Sequence, residues 1–203
     1  IGLAAAASFL AGVTGMGFAL LLAIRARKSQ WLGIFVHFPM GVPHLLAAYL
    51  LTQLFWQSGW YSRLLYQMGI IEEMDQFPVV IQDPWGIGIL LAYSWKEIPF
   101  MIMLLLSFVM RALDEWGQAA QCLGASFSQT VRWVVIPMLF PVWVGGMWII
   151  FAFVLGAYEI PALTGSTAPA LVPVLAWQEY TAFGLDRRTV AMAMNFILAA
   201  VAL

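Results

Sequence analysis

Long apolar runs alternate with short polar segments along this chain. Five runs have the length of a membrane-crossing helix: about residues 1–24, 31–55, 85–108, 136–158 and from 189 onward. A helix of about 20 apolar residues crosses the ~30 Å hydrocarbon core of a bilayer, since each residue rises 1.5 Å. The pattern therefore predicts an all-α integral membrane protein, a polytopic helical bundle with about five transmembrane helices.

Glycines and prolines inside these runs predict close helix contacts, kinks and breaks. Glycines that favour close approach of a second helix occur in the first and fourth runs, at Gly12, Gly15, Gly17, Gly145 and Gly146. Pro39, Gly41 and Pro43 predict a kink or a break in the second run. Pro99 predicts a bend in the third run, because proline has no N–H to donate.

Two polar segments are predicted to lie outside the cell. Residues 56–84 are predicted to form an outer loop with a short interfacial helix at about 61–71, and residues 170–184 a second short re-entrant or interfacial helix. The basic residues Arg25, Arg27 and Lys28 directly follow the first run, which places that end of the run in the cytoplasm. The expected location is the inner (cytoplasmic) membrane, crossed several times.

Composition supports a membrane protein. Of the 203 residues, 63% are hydrophobic and only 9% are charged, and the mean hydropathy is +0.89. Soluble domains carry about 25% charged residues. Ten tryptophans and six tyrosines suit two membrane interfaces. The net charge of −1 offers no basic field for nucleic acid.

Two adjacent charges interrupt the third run. Lys96 and Glu97 lie near its middle, and a charge at the bilayer centre costs at least ~2.5 kcal/mol, so such residues usually face a bundle interior or a watery path. Two interpretations stay open: a polar lining of a translocation path, or a buried pair that reaches partners on other helices. The candidate path residues are Lys96, Glu97, Tyr158, Glu159 and Asn195.

A polar-tolerant segment at residues 114–141 has apolar helices on both sides. Gly124 costs a continuous helix about 1 kcal/mol relative to alanine, so it indicates a bend between two short helices. Pro137 lies where the next helix can begin. The N–H groups of a first helical turn have no partner within the helix, so a proline there loses no hydrogen bond. An ordinary helical hairpin that joins two spans is the alternative interpretation.

The spacing in this segment resembles a family motif. Gln118-Ala119-Ala120, Gly124, and then Val134, Ile136 and Pro137 are similar to the EAA loop, EAA-x3-G-x9-I-x-LP, of the membrane subunits of binding-protein-dependent ABC importers of the type I fold. Gln118 stands where the family has glutamate, which removes a charge. Val134 and Ile136 replace isoleucine and leucine and keep apolar bulk.

The resemblance implies a single transmembrane permease domain over residues 1–203, with flanking residues missing at both ends, and a cytoplasmic coupling loop at 111–135. The residues that it implies for coupling to the ATPase are Gln118, Ala119, Ala120, Leu123, Gly124, Phe127 and Pro137. It also implies a cytoplasmic ABC ATPase dimer, a second permease subunit (identical or homologous), an extracytoplasmic solute-binding protein and surrounding lipid as partners.

Several catalytic motifs are absent from the 203 residues. The chain has no G-x4-GK[ST] phosphate loop, no G-x-S-x-G, no HExxH and no paired CxxC. The expectation is therefore a non-catalytic subunit without a cofactor or metal of its own, with ATP and Mg²⁺ on the partner ATPase.

The solute is predicted less sharply. The segments WKEIPF, GAYEIPALTG and LVPVLAWQEY are loosely similar to permeases of the spermidine/putrescine type, which implies a polyamine or a similar small solute. The alternative functions are an ion-driven secondary transporter and an intramembrane enzyme that uses Lys96 and Glu97.

Overall fold

The structure, a computed structural model, describes residues 1–25 and 30–203, and Arg27 and Lys28 lie outside the described residues. Within those ranges the regular structure is helical. The α-helices are α1 (Gly2–Arg25), α2 (Gln30–Gly41), α3 (His44–Phe55), α4 (Trp60–Gln67), α5 (Ile87–Ala112), α6 (Gln118–Cys122), α7 (Phe127–Thr130), α8 (Ile136–Gly156), α9 (Glu159–Thr164), α10 (Val172–Thr181) and α11 (Leu185–Ala202). Two π-helical turns, Leu113–Gly117 and Val131–Val135, join α5 to α6 and α7 to α8. The all-α class is confirmed.

Three helices of the described residues are long and apolar enough to cross a membrane: Gly2–Ile24, Ile87–Cys122 and Phe127–Gly156. The second predicted span consists of two 12-residue helices, α2 and α3. The fifth is the 18-residue α11, whose first turns carry Asp186, Arg187 and Arg188. Helices α4 and α10 occupy the two segments in which short helices were expected.

The break in the second span falls at Val42 and Pro43. Pro43 precedes the first residue of α3 and has an extended backbone, with a ψ angle of 145°. A proline disfavours the α conformation in the residue before it and cannot donate to the carbonyl four residues earlier. The predicted break is therefore present, although Pro39 itself lies inside α2.

The α-helix α8 begins at Ile136, directly before Pro137, as predicted. This start is not a free helix end, because the helical run that contains it already begins at Phe127 and continues to Gly156. A π-turn immediately precedes this proline, and the Ile136 N–H donates to the Val131 carbonyl five residues earlier. Because a π-turn is wider than an α-turn, it gives the helix a way to accommodate a proline whose ring would crowd the preceding turn.

The chain divides into two compact units. One contains Ile1–Ala7, Val42–Ser94 and Phe151–Leu203, and the other contains Ser8–Gly41 and Trp95–Ile150. Helices α1, α5 and α8 each contribute residues to both units. That residues 1–203 act as one permease domain stays a prediction.

Glycines allow close helix contacts inside the second unit. The Trp143 indole donates to the Gly12 carbonyl at 2.8 Å, which joins α8 to α1. A Cβ at Gly15 would lie 2.6 Å from the Met101 side chain of α5, and one at Gly146 would lie 2.6 Å from Leu104. Gly17 and Gly145 face open space instead, so the described residues make no close contact at these two positions.

A buried carboxylate begins α5 in the first unit. Asp83 is 3% exposed, and its two oxygens accept the N–H groups of Trp85 at 3.0 Å and Gly88 at 3.1 Å. These bonds satisfy N–H donors that have no partner at a helix start. Asp83 therefore caps a helix, whereas the sequence placed it among the charges of a polar outer loop.

Replacing Gly15 by alanine is expected to destabilise the protein, because the new Cβ would collide with the Met101 Cβ and Cγ. Overpacking of this kind costs about 1–3 kcal/mol. Gly17→Ala is the matched control, since its Cβ meets open space and alanine favours helix by about 1 kcal/mol. Thermal unfolding of both variants in detergent measures the difference. Equal midpoints would contradict the described contact between α1 and α5.

Candidate functional site: the loop between α5 and α8

The segment between α5 and α8 is a helix–turn–helix whose two arms touch near their base. The π-turn Leu113–Gly117 contacts the π-turn Val131–Val135. Gly117 and Thr130 are both buried, and a Cβ on Gly117 would lie 3.8 Å from the Thr130 methyl group. The two arms are therefore packed against each other at their base, and we call this paired base the stalk.

The turn at the end of this stalk has a defined backbone. Gly124 has a φ angle of +85°, in the left-handed region that L side chains rarely adopt. Its N–H donates to the Gln121 carbonyl at 2.9 Å, and the Ala125 N–H donates to the Ala120 carbonyl at 3.0 Å. This pair of bonds is the Schellman arrangement that ends a helix with a left-handed glycine. The predicted bend at Gly124 is confirmed.

The next helix, α7, begins at Phe127, and its N-cap residue Ser126 takes part in a capping box. The Ser126 hydroxyl accepts the Gln129 N–H at 3.4 Å, and the Gln129 side-chain oxygen accepts the Ser126 N–H at 2.8 Å. Both bonds satisfy donors that would otherwise lack a partner at the helix start. The turn is thus held from both sides, with little freedom between α6 and α7.

The tip of the turn presents an apolar side chain to its surroundings. Leu123 is 90% exposed and Phe127 is 44% exposed. A Cβ at Gly124 would meet nothing within 4 Å, so another backbone has room to approach there. Among the other predicted coupling residues, Gln118 and Ala119 are exposed, and Ala120 is half-buried. Pro137 is exposed but lies on α8, beyond the helix–turn–helix.

Several features of the loop did not enter the sequence-based prediction. Arg111 and Glu115, one helical turn apart, form an exposed ion pair at 2.8 Å. They line a cleft of about 260 Å³ together with Phe108, Ala112, Met138 and Leu139. The side chains of Trp116 and Trp133 are 52% and 70% exposed. The i,i+4 spacing of the ion pair was the available signal for it.

The charged pair of the third span lies inside the second unit. Lys96 is 5% exposed and Glu97 is 7% exposed. The Lys96 ammonium donates to the backbone carbonyl of Pro39 on α2 at 2.7 Å. This geometry agrees with the second of the two interpretations, in which Lys96 reaches a partner on another helix. A role of either residue in a translocation path stays a prediction.

The other predicted path residues lie in the first unit and have separate surroundings. Tyr158 is half-buried, and its ring contacts that of Trp177 at a centroid distance of 5.1 Å. Glu159 is exposed in the first turn of α9, and Asn195 is exposed on α11. Their participation in transport stays a prediction as well.

Apolar helices of spanning length, joined by a capped helix–turn–helix, define a polytopic α-helical membrane protein. A family model described as "Binding-protein-dependent transport system inner membrane component" matches residues 11–203. The chain belongs to this family and is an integral protein of the inner membrane.

Three curated relatives are about 30% identical to this chain over the aligned residues. The sulfate transport system permease protein CysT of Salmonella typhimurium is 30% identical over 157 residues, which cover 75% of this chain and 53% of that protein. A probable sulfate transport system permease protein of Prototheca wickerhamii is 31% identical over 165 residues, 78% of this chain and 60% of that protein. The inner membrane ABC transporter permease protein YdcU of Escherichia coli is 30% identical over 138 residues, 65% of this chain and 44% of that protein. The chain thus spans about half the length of the curated relatives that it matches.

Solved structures share the fold. A chain of a bacterial ABC transporter involved in the import of alginate superposes with a TM-score of 0.72 at 19% identity, over 100% of this chain and 73% of that chain. The same transporter type in complex with an alginate pentasaccharide-bound periplasmic protein gives 0.71 at 18% identity, with the same coverage. The type I permease fold expected from the resemblance agrees with both.

Replacing Gly124 by valine is expected to loosen the turn. A β-branched residue in the left-handed conformation costs about 1–2 kcal/mol, while the absence of neighbours within 4 Å excludes a steric clash as the cause. Gly124→Asn is the matched control, because asparagine tolerates this conformation. Hydrogen exchange of a peptide covering residues 118–130 should be faster in the valine variant only. Equal protection in both variants would contradict the left-handed turn.

Proposed function

We propose that this chain is the membrane-embedded permease subunit of an ATP-driven importer and that residues 111–135 couple it to a separate ATPase. Family membership and the fold shared with ABC importer structures support the proposal. The phosphate loop needed for ATP binding by the usual route is absent from the 203 residues. ATP and Mg²⁺ therefore belong on the partner.

The exposed Leu123 at the end of a rigid turn is the observation that carries the proposal. Burying a leucine side chain is worth about 1.5–3 kcal/mol, so a partner with an apolar groove gains from covering it. The Schellman turn and the capping box hold the tip before any partner arrives. A preformed tip loses less conformational entropy on docking than a flexible loop.

The arms of the loop connect this tip directly to spanning helices. One arm is continuous from Ile87 to Cys122 and the other from Phe127 to Gly156. Helices of this length, 36 and 30 residues, extend about 54 Å and about 45 Å at 1.5 Å per residue. A displacement of Leu123 by an ATPase would therefore move α5 and α8 as levers rather than be absorbed in a flexible linker. The helices would switch between outward-facing and inward-facing arrangements.

The remaining partners follow from the family. A second permease subunit would complete the path, two ATPase subunits would dock on the loops, and an extracytoplasmic binding protein would deliver the solute. The printed family description names binding-protein-dependent transport, which supports the last of these. Gln118 in place of glutamate leaves the loop without a carboxylate at that position, so docking would depend more on Leu123 and Phe127.

For the solute we propose a small oxyanion of the sulfate class in place of a polyamine. Curated relatives that match at about 30% identity are named as sulfate permeases. The relatives described above include no polyamine permease, so the looser resemblance to that branch gains no support. The alternative of an enzyme or secondary transporter built on Lys96 is disfavoured, because its ammonium already binds the Pro39 carbonyl.

Leu123→Ser is expected to reduce recovery of the ATPase with the full-length permease, because the substitution removes the apolar contact at the tip. A loss of about 2 kcal/mol of burial corresponds to roughly thirtyfold weaker docking. The measurement is quantitative co-purification in mild detergent, with the permease level held equal.

Phe183→Ser is the matched control for this experiment. Phe183 is fully exposed like Leu123 but lies in the turn between α10 and α11. Co-purification should be unchanged in this variant. Equal recovery of the ATPase with the wild-type protein and with Leu123→Ser would contradict the docking role of the tip.

Uptake assays distinguish the proposed solute from the earlier expectation. Proteoliposomes that hold the full importer and its binding protein should accumulate labelled sulfate in the presence of ATP, and unlabelled spermidine should not compete. Competition by spermidine without competition by unlabelled sulfate would reverse the assignment.

A further inference from the structure

The Lys96 side chain faces the backbone carbonyl of Pro39, which lacks the N–H donor that a continuous helix would provide. In a continuous helix the carbonyl of Pro39 would accept the N–H of residue 43. Residue 43 is a proline and has no N–H, and its extended backbone ends the helix before it. Pro39 is buried, so its carbonyl has little access to water.

The ammonium of Lys96 occupies the place of that donor. Its Nζ lies 2.7 Å from the Pro39 oxygen, which is a short, charge-assisted hydrogen bond. The residues directly before each partner also meet, since the Phe38 and Trp95 rings pack edge to face at a centroid distance of 6.4 Å. The end of α2 is thus attached to α5 at two adjacent positions.

We propose that Lys96 is a positioning residue that replaces the missing N–H of Pro43 and thereby fixes the broken end of α2 on α5. A buried unsatisfied carbonyl is costly, and a charged donor from a neighbouring helix removes that cost while leaving the break open. In this role Lys96 stabilises the broken end of α2 and does not bind the solute. Its burial within the chain agrees with this role.

The test is a double-mutant cycle between Lys96→Met and Pro43→Ala in the full-length protein in lipid nanodiscs. Lys96→Met leaves the Pro39 carbonyl without its charged donor, and the thermal midpoint should fall by on the order of 5 °C. Pro43→Ala supplies an N–H four residues after Pro39 and removes the ring. It should restore at least half of that fall in the double variant, while changing the midpoint of the Lys96 protein only slightly.

Leu105→Ala controls for general stabilisation by Pro43→Ala. Leu105 is fully buried on α5, so truncating it destabilises the protein without affecting the carbonyl. Pro43→Ala should not recover this loss. Lys96→Arg, which keeps a charged donor, should retain most of the stability.

Hydrogen exchange in a peptide covering residues 38–46 gives a local readout. Lys96→Met should speed exchange there, and Pro43→Ala should slow it again. Leu105→Ala should speed exchange in peptides of α5 without a matching change in residues 38–46. If Lys96→Met does not accumulate, recovery of folded protein in the double variant supports the proposal, and failure of recovery contradicts it.

Additive effects of Lys96→Met and Pro43→Ala would overturn the proposal. So would equal rescue of Lys96→Met and Leu105→Ala by Pro43→Ala. None of these measurements involves transport, so they stand or fall separately from the proposed function, which co-purification of the ATPase tests.

Discussion

The constraint on which this structure depends is that a backbone polar group inside a lipid bilayer must find its partner within the protein. The chain places prolines within or beside its apolar runs, and each one removes a donor. At Pro43 the helix breaks, and the Lys96 ammonium binds the Pro39 carbonyl. Before Pro137 the helix widens into a π-turn and continues. At the exposed loop the free backbone groups of the helix ends are paired within the chain as well, by the Schellman bonds around Gly124 and the capping box of Ser126 and Gln129.

These hydrogen bonds make the loop a rigid continuation of the helices on either side. Because both arms continue into α5 and α8, the turn at Gly124 is an extension of the spanning helices and not a flexible connection. Among the large hydrophobic side chains of the loop, Leu123 is the most exposed. A preformed apolar tip on two long levers is well suited to receive a conformational change made elsewhere. That suitability connects the local backbone chemistry to the proposed coupling role.

The helical class, the break at residues 42–43 and the bend at Gly124 were predictable because hydrophobic period, proline and glycine act locally. The continuation of the helix through Pro137 was not predictable. The π-turn that precedes this proline makes room for its ring, and the sequence has no pattern that indicates such a turn. Asp83 looked like one loop carboxylate among several, and its capping role depends on where the α5 N–H groups point. For Lys96 the sequence left two interpretations open, because its partner lies 57 positions away. The proposed solute class rests on the names of relatives and not on a residue pattern of this chain.

Cross-linking from the native Cys122 tests the central claim most directly, since this exposed residue precedes Leu123 in the loop. The full-length protein would be labelled in inside-out membrane vesicles with a photoreactive maleimide and illuminated, with other cysteines of the full-length chain replaced. Mass analysis of the adducts should identify a subunit that carries a phosphate loop, and the yield should change when ATP is added. Adducts with lipid or with the permease itself, and none with an ATPase, would contradict the coupling role of the loop.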